Sequence, residues 1–367
     1  MGRHCQLQQA TTNYEIFKPL VCCDSLPKTA AIWRVGRCRM NSKVPHPFLP
    51  VGASRLGFGS GGLLHGLSYA ESLRLVDTAI DCGITYFDTA RMYGFGGAER
   101  ILGKLLSQRR DRITIATKAG ILPADRSIPV RVLNRGATLL RRCAPHLAPH
   151  IPTPQRAQPR FGYFRRRDFQ KSVETSLREL RTDYIDILLL HECTLPDVNN
   201  ELLDYLHDLK LRGTIRAFGL ATGIDDTIKI ADAHPVLNHV LQISNNIWNM
   251  NIRRLPARPC GFTITHSSLT SRFHALSNQL SRDPTLASKW KRATQVDPSD
   301  KSALAELLIA HALHSNPGGA VLFFSSKPEN IRACTQVAKS RSINVSQIIG
   351  LNGFLSSDEG AAVALRG

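Results

Sequence analysis

Short apolar runs alternate with longer amphipathic segments along the chain from about residue 50. The short runs indicate buried strands, and segments with apolar residues three or four positions apart indicate helices. Residues 184–190 are almost wholly apolar, as expected of a strand buried on both faces. Residues 72–82 have helical spacing, and Ser68 with Glu71 three residues later predicts a capping box before them.

The same patterns predict seven strands and seven helices. The strands lie at residues 84–87, 113–117, 184–190, 215–220, 240–243, 261–265 and 319–324. The helices lie at residues 72–82, 98–106, 169–180 (capped by Asp168), 200–211, 225–233, 301–314 and 328–340. Because strands alternate with helices and the count approaches eight pairs, we expect a (β/α)8 TIM barrel, an α/β fold. An open doubly wound sheet is the alternative, although the glycine-rich residues 56–62 lead into a loop and not directly into a helix.

Residues 121–167 interrupt the alternation with a long Arg- and Pro-rich segment. In a barrel this segment is a βα-loop insertion on the face that carries the active site, where long loops shape a substrate pocket or a partner surface. Ten arginines lie between Asp125 and Asp168. One interpretation is a basic patch for nucleic acid, anionic lipid or an acidic partner. We favour a solvated insertion without such a partner, because the segment carries no nucleic-acid motif and its aromatic residues are confined to positions 161–164.

Composition bounds the class of protein. The chain has 367 residues, of which 43% are hydrophobic, and its formal net charge is +18. It contains no run of 18 apolar residues, so we expect no membrane span. The nine cysteines are odd in number and include no Cys-x-x-Cys pair, which favours reduced thiols in a cytoplasmic protein and no metal site.

The ends of the chain differ from its middle. Residues 1–47 carry seven Lys/Arg and two acids without clear periodicity, so we interpret them as a disordered extension. They could be an organelle transit segment, but we favour a misplaced start codon, with Met40 as the true start. We assign residues 48–345 to the barrel and residues 346–367 to a C-terminal tail.

Four polar residues follow predicted strands. Asp88 and Tyr93 lie just after the first strand, and Lys118 and His191 directly follow the strands at 113–117 and 184–190. The carboxyl ends of parallel strands share one face of a barrel, where active sites are built. A carboxylate, a phenol, an ammonium and an imidazole that meet there can form a proton relay.

These residues resemble the aldo-keto reductase family. The motif Gly83-x4-Asp88-Thr89-Ala90-x2-Tyr93-Gly94, followed by Glu99 and Leu102-Gly103, is similar to its first signature. Lys118 and His191 fit the other two positions of its catalytic tetrad, and the resemblance extends over about residues 56–339. It implies a (β/α)8 barrel that binds NADPH, less often NADH, without a Rossmann fold, and that reduces aldehydes and ketones to alcohols.

The resemblance also implies a role for each member of the tetrad. Tyr93 is the general acid and base, and the Lys118 ammonium is expected to lower its pKa from about 10. Asp88 holds Lys118 charged and oriented. His191 donates a hydrogen bond to the substrate oxygen.

Cofactor contacts correspond less closely to the family pattern. Gln242 matches the glutamine that binds the nicotinamide amide, Ala221-Thr222 replaces a Ser-Asn pair, and His266 replaces a stacking tyrosine. The resemblance implies further contacts from Ser267, Leu269, Ser325, Ser326, Lys327 and Asn330. Phe324 replaces a glycine. We expect NADP(H) rather than NAD(H), because Lys327 can pair with a 2′-phosphate.

Two functions remain open. The first is an NAD(P)H-dependent oxidoreductase that interconverts a small aldehyde or ketone, sugars included, and its alcohol. The alternative is a non-catalytic, cofactor-sensing regulatory subunit, as in the family's potassium-channel β subunits. The intact Asp88, Tyr93, Lys118 and His191 favour the first, whereas the oligomeric state stays open.

Overall fold

Eight parallel strands close into a barrel that follows the order of the chain. The computed structural model describes residues 44–124, 158–269, 271–339 and 343–360, except 47, 257, 259, 260 and 359. The predicted TIM barrel is confirmed, and the open doubly wound sheet is wrong. The barrel strands are β3 (Leu56–Gly59), β4 (Tyr86–Asp88), β5 (Thr114–Ala119), β6 (Ile185–His191), β7 (Ile215–Ala221), β8 (Val240–Ser244), β9 (Phe262–His266) and β10 (Ala320–Phe323).

Each predicted helix is present, with ends that shift by up to three residues. The described helices are α1 (Tyr69–Asp81), α2 (Ala98–Leu106), α3 (Arg166–Leu180), α4 (Asn200–Leu211), α5 (Ile224–Ala233), α6 (Ser271–Arg282), α7 (Pro284–Thr294), α8 (Lys301–Ser315), α9 (Pro328–Lys339) and α10 (Val345–Leu355). The pattern did not predict α6, α7 or α10. The segment that we assigned to a C-terminal tail thus includes most of α10, which packs against α7 and α8.

Helix caps tested two of the sequence predictions. Ser68 and Glu71 form the predicted capping box at the start of α1. The predicted cap at Asp168 is wrong, because α3 begins at Arg166 with Arg165 at the N-cap position. Asp168 instead lies in the first turn of α3, where a carboxylate interacts favourably with the positive end of the helix dipole.

The barrel interior is a packed core. Tyr86, Ile187 and Leu189 belong to an apolar cluster inside the barrel, together with Phe262, the first residue of β9. A hairpin of β1 (Val44–His46) and β2 (Leu49–Ala53) precedes the barrel, and its turn residue Phe48 contacts the Phe262 ring. This end of the interior is therefore filled, and the space for a ligand lies at the carboxyl ends of the strands.

The Arg- and Pro-rich insertion leaves the barrel through a short antiparallel bridge. Leu122 and Arg160 exchange backbone hydrogen bonds of 2.9 and 3.0 Å. Phe164 then packs directly over Gly120, where the ring leaves no room for a Cβ atom and φ is +117°. Residues 125–157 lie outside the described part of the chain, so the role of the basic insertion stays a prediction.

Residues 1–43, the larger part of the predicted N-terminal extension, also lie outside the described residues. None of the helices in the described ranges is long and apolar enough to cross a membrane. Three cysteines are described, Cys82, Cys193 and Cys334, and all three are free thiols. The cytoplasmic location stays a prediction.

Candidate active site

Three neighbouring strands bring three of the four tetrad residues together. Asp88 ends β4, Lys118 is the last residue but one of β5, and His191 ends β6. Lys118 lies opposite Leu189 of β6 in the ladder, and Asp88 lies opposite Ala116 of β5. Parallel pairing in this register places the three side chains at the same end of the barrel.

Asp88 and Lys118 form a buried ion pair. Lys118 Nζ donates hydrogen bonds to Asp88 Oδ1 at 2.6 Å and to the Thr89 carbonyl oxygen at 2.9 Å. Burial raises the pKa of Asp88, although Lys118 and the neighbouring Gln242 amide oppose this rise. Burial alone would lower the pKa of Lys118, but Asp88 and Tyr93 together raise it above its usual value. Lys118 therefore carries its positive charge at neutral pH.

Tyr93 begins the 3-10 turn Tyr93–Gly96 that follows β4. Lys118 Nζ lies 4.8 Å from the centre of the Tyr93 ring, and the His191 ring lies edge-on to it at 5.8 Å between centroids. The other edge of the phenol lies next to Gly61, where a Cβ atom would be 3.7 Å from the ring. The phenol is thus enclosed by the ammonium, the imidazole and a glycine backbone.

The pKa of Tyr93 is higher than the sequence predicts. Burial raises it above its usual value, and Lys118 lowers it by charge and hydrogen bonding, while Asp88 and Glu192 raise it further. The contribution of Lys118 has the expected sign, but burial outweighs it. Tyr93 therefore keeps its proton at neutral pH, as a proton donor must.

His191 is buried and uncharged at neutral pH. Burial lowers its pKa to about 3, and the nearby Lys118 and His266 lower it in the same direction. Its Nδ1 atom has no hydrogen-bond partner among the described residues. A neutral imidazole in this position can donate one hydrogen bond and accept another.

A second buried ion pair supports the loop that carries Tyr93. The fully buried Glu99 accepts hydrogen bonds of 2.7 Å from Arg91 and from Thr117, which directly precedes Lys118. The Arg91 backbone N–H donates to the Lys118 carbonyl oxygen at 3.2 Å. Glu99 thereby connects the Tyr93 loop to β5. The sequence identified Glu99 only as part of a motif.

Every barrel strand contributes at least one residue to the lining of one cleft of about 370 Å³ around Tyr93. Its described lining consists of Gly59, Gly61, Gly62, Asp88, Tyr93, Lys118, His191, Glu192, Ala221, Thr222, Gln242, His266, Ser267, Ser268, Leu269, Leu322, Phe323 and Phe324. All four tetrad residues belong to this lining. Glu192, Ser268 and Phe323 could not be assigned to the cleft from apolar spacing, because spacing does not give the direction of side chains at the end of a strand.

The predicted cofactor residues divide into two groups. Gln242, Thr222, His266, Ser267 and Leu269 line the cleft. Ser325, Ser326, Lys327 and Asn330 do not, and they lie at the start of α9 beyond Phe324. The Ser325 hydroxyl accepts a hydrogen bond of 3.2 Å from the Lys327 backbone N–H. The Phe324 ring occupies the space where a Cβ on Gly62 would lie.

Some polar atoms of the cleft already have a hydrogen-bond partner within the protein, and others do not. Gln242 Oε1 and Ser268 Oγ are buried and have no hydrogen-bond partner in the part of the chain that the structure describes. The Thr222 hydroxyl is instead 2.8 Å from the Thr227 hydroxyl. His266 Nδ1 lies 2.8 Å from Ser267 Oγ, and burial lowers the pKa of His266 to about 4, so its ring is neutral.

A family model described as "Aldo/keto reductase family" matches residues 52–349, which include the whole barrel and the tetrad. The chain belongs to this family. Among curated relatives, "Probable aldo-keto reductase 1" from Glycine max is 30% identical over 205 residues, 54% of this chain and 50% of the relative. The "6-dehydroglucose reductase" from Novosphingobium aromaticivorans is 30% identical over 186 residues, 48% of each chain. The "NADH-specific methylglyoxal reductase" from Escherichia coli is 28% identical over 197 residues, 51% of this chain and 54% of the relative.

Solved structures share the fold of this chain. A glycerol dehydrogenase from Gluconobacter oxydans aligns with a TM-score of 0.63 at 20% identity, over 86% of this chain and 95% of its own. An aldo-keto reductase from Klebsiella pneumoniae in complex with NADPH aligns with a TM-score of 0.56 at 18% identity, over 82% and 91%. The chain spans about half the length of the curated relatives it matches.

Proposed function

We propose that this protein is an NAD(P)H-dependent oxidoreductase that interconverts a small aldehyde or ketone and the corresponding alcohol. The observation that carries the proposal is the group of Tyr93, Lys118, Asp88 and His191 in the lining of one cleft. Each side chain alone has a structural explanation, as an ion pair or a buried polar residue. Together, a protonated phenol, a fixed ammonium and a neutral imidazole supply what carbonyl reduction requires of the protein.

Reduction adds a hydride to the carbonyl carbon and a proton to the carbonyl oxygen. Tyr93 donates the proton, because its raised pKa keeps the phenol protonated until negative charge develops on that oxygen. The Lys118 ammonium then stabilises the phenolate, and Asp88 holds the ammonium in place at 2.6 Å. His191 orients the carbonyl oxygen through a hydrogen bond, without titrating near neutral pH.

The cleft fits a nicotinamide cofactor, which supplies the hydride when bound. The unpartnered Gln242 Oε1 can accept a hydrogen bond from a carboxamide N–H, and the neutral His266 ring offers a flat surface for a heterocycle. The Thr222 hydroxyl is less available for a hydrogen bond to the cofactor, because it already interacts with the Thr227 hydroxyl. We propose NADP(H) over NAD(H), with Lys327 and the N-terminus of α9 receiving the 2′-phosphate.

The names of the family relatives bear on both the proposed substrate class and the proposed cofactor. One is a reductase of a dehydroglucose, which favours a carbonyl group on a neutral sugar or a similar small molecule. The Klebsiella pneumoniae structure contains NADPH, whereas the Escherichia coli relative is NADH-specific, so the family includes members that use either cofactor. A small carbonyl compound is the proposed partner.

Cofactor binding and turnover test the function separately. Fluorescence titration with NADPH and NADH gives the affinity for each, and oxidation of the bound cofactor is followed with glycolaldehyde, D-glyceraldehyde, butanal and methylglyoxal. We expect tighter binding of NADPH and measurable turnover of several aldehydes. Binding without any turnover would instead support the cofactor-sensing subunit. Failure to bind either nucleotide would refute the cofactor site, with Thr222, His266 and Phe324 as the residues that depart from the family pattern.

A further inference from the structure

Glu192 adds a carboxylate to the cleft directly after His191. Consecutive residues of an extended strand direct their side chains to opposite faces. His191 and Glu192 nevertheless both line the cleft. The reason is the backbone of Glu192, whose φ of +50° lies in the left-handed region and turns the chain at the end of β6.

This conformation is held by the neighbouring strand. The Glu192 backbone N–H donates a hydrogen bond of 2.9 Å to the Ala221 carbonyl oxygen at the end of β7. A residue other than glycine at positive φ is strained, and such strain is concentrated at functional sites. The structure thus uses an unfavourable backbone conformation to place a charged side chain beside the reacting groups.

No unpaired positive charge faces Glu192 among the described residues that line the cleft. Asp88 and Lys118 neutralise each other at 2.6 Å, and His191 and His266 are neutral because burial lowers their pKa values to about 3 and about 4. Among the described residues that line the cleft, Glu192 is therefore the acidic side chain whose charge no neighbour in the lining offsets, although burial and the nearby Asp226 raise its pKa above its usual value. Its field also reaches Tyr93, whose pKa it raises.

We propose that Glu192 is a specificity-determining residue that directs the cleft toward neutral, hydroxylated carbonyl compounds and against carbonyl compounds that carry a carboxylate or phosphate. Its oxygens accept hydrogen bonds from hydroxyl groups of the substrate and repel an anionic group in the same place. This inference rests on the proposed function, because it names the substrate class of the same site.

A purely structural role for Glu192 can be distinguished by experiment from a role in substrate specificity. The Gly223 backbone N–H at the start of α5 donates to the Glu192 carboxylate, so the side chain could serve only to fix that loop. Glu192→Gln retains an oxygen that accepts this hydrogen bond and removes only the charge. Asp226→Asn is the matched control, since Asp226 lies close enough to affect Glu192 but does not line the cleft.

The experiment compares two aldehydes of equal carbon number, neutral glycolaldehyde and anionic glyoxylate, at low and high salt. We expect wild type to prefer glycolaldehyde, and Glu192→Gln to raise kcat/KM for glyoxylate relative to glycolaldehyde by at least about fivefold at low salt. The difference between wild type and Glu192→Gln shrinks at high salt, because screening weakens an electrostatic effect. Asp226→Asn leaves the ratio close to that of wild type.

Two results would overturn the inference while leaving the proposed function intact. One is an unchanged ratio in Glu192→Gln, and the other is a wild-type preference for glyoxylate. Absence of turnover with every carbonyl would refute the proposed function alone. In that case calorimetric titration of both proteins with succinate and with its neutral diamide still decides the inference. Glu192→Gln must then bind succinate more tightly relative to the diamide than wild type does, and equal ratios refute it.

Discussion

Lys118 Nζ lies 2.6 Å from Asp88 Oδ1, and both side chains are almost completely buried. Loss of one partner leaves an uncompensated buried charge, which costs about 3–5 kcal/mol, whereas loss of both removes the charges together. We expect Asp88→Asn and Lys118→Met each to lower the free energy of unfolding by that amount, and the double variant to be more stable than the sum of the single effects indicates. Urea unfolding of the protein without cofactor measures this coupling.

Arg100→Met is the control for the ion-pair experiment. Arg100 pairs with Glu179 at 2.7 Å but is largely exposed, so its loss should cost less than about 1 kcal/mol. Additive effects of Asp88→Asn and Lys118→Met would contradict a coupled buried pair. The variant that combines Asp88→Asn and Lys118→Met should still be inactive, because recovered stability does not restore the ammonium beside Tyr93.

His191 should make the stability of the protein depend on pH. Its pKa is lowered from 6.5 to about 3, so the unfolded chain binds a proton first as the pH falls. The stabilising contribution is complete above about pH 6.5 and is lost toward pH 3, by about 1.4 kcal/mol for each pH unit. We expect the loss between pH 6.5 and pH 4.5 to be smaller in His191→Gln than in wild type. Equal losses in the two proteins would show that His191 titrates normally.

Carbonyl reduction should not depend on pH near 6.5. His191 and His266 are already neutral there, and the pKa of Tyr93 is raised by burial. The reduction rate should remain constant through neutral pH and decrease only as the pH rises through the high pKa of Tyr93. The reverse oxidation, which needs the phenolate, should accelerate over the same range. A reduction rate that is lost with a midpoint between pH 6 and pH 8 would contradict this assignment.

Gly103 and Gly353 make a matched pair of helix glycines. A Cβ atom at Gly103 would lie 2.2 Å from the Glu179 carbonyl oxygen, whereas nothing lies within 4 Å of one at Gly353. We expect Gly103→Ala to destabilise the protein by about 1–3 kcal/mol through overpacking of α2 against α3. Gly353→Ala should stabilise it by up to about 1 kcal/mol, because alanine favours the helix. Thermal or urea unfolding measures both, and equal signs would contradict the packing argument.

The barrel was predictable because its strands and helices repeat, but β3 was not. Residues 56–59 contain two glycines, which are poor strand formers. In the structure, a Cβ at Gly57 would lie 2.6 Å from the ring of Tyr86 in β4, so a long-range contact explains this glycine. Helices α6 and α7 were missed as well, within a segment for which the sequence analysis predicted no element.

The positions of the tetrad residues could be predicted from the sequence, but their pKa shifts could not. Strand ends placed Asp88, Lys118 and His191 correctly in one cleft. Lys118 lowers the pKa of Tyr93 as predicted, but burial outweighs this effect, and burial depends on which residues surround the loop in three dimensions. Likewise, the interaction of Thr222 with Thr227 could not be obtained from spacing, although both positions are visible in the sequence.

The most direct test of the proposed reaction is cofactor oxidation by glycolaldehyde in wild type and in Tyr93→Phe, with NADPH affinity measured on both. The substitution removes the phenolic hydroxyl and keeps the ring beside Gly61 and His191. We expect kcat to fall at least about a hundredfold, since general acids contribute about 10²–10⁴, while the Kd for NADPH stays within about threefold. An active Tyr93→Phe variant with unchanged kcat would contradict Tyr93 as the proton donor and, with it, the proposed mechanism.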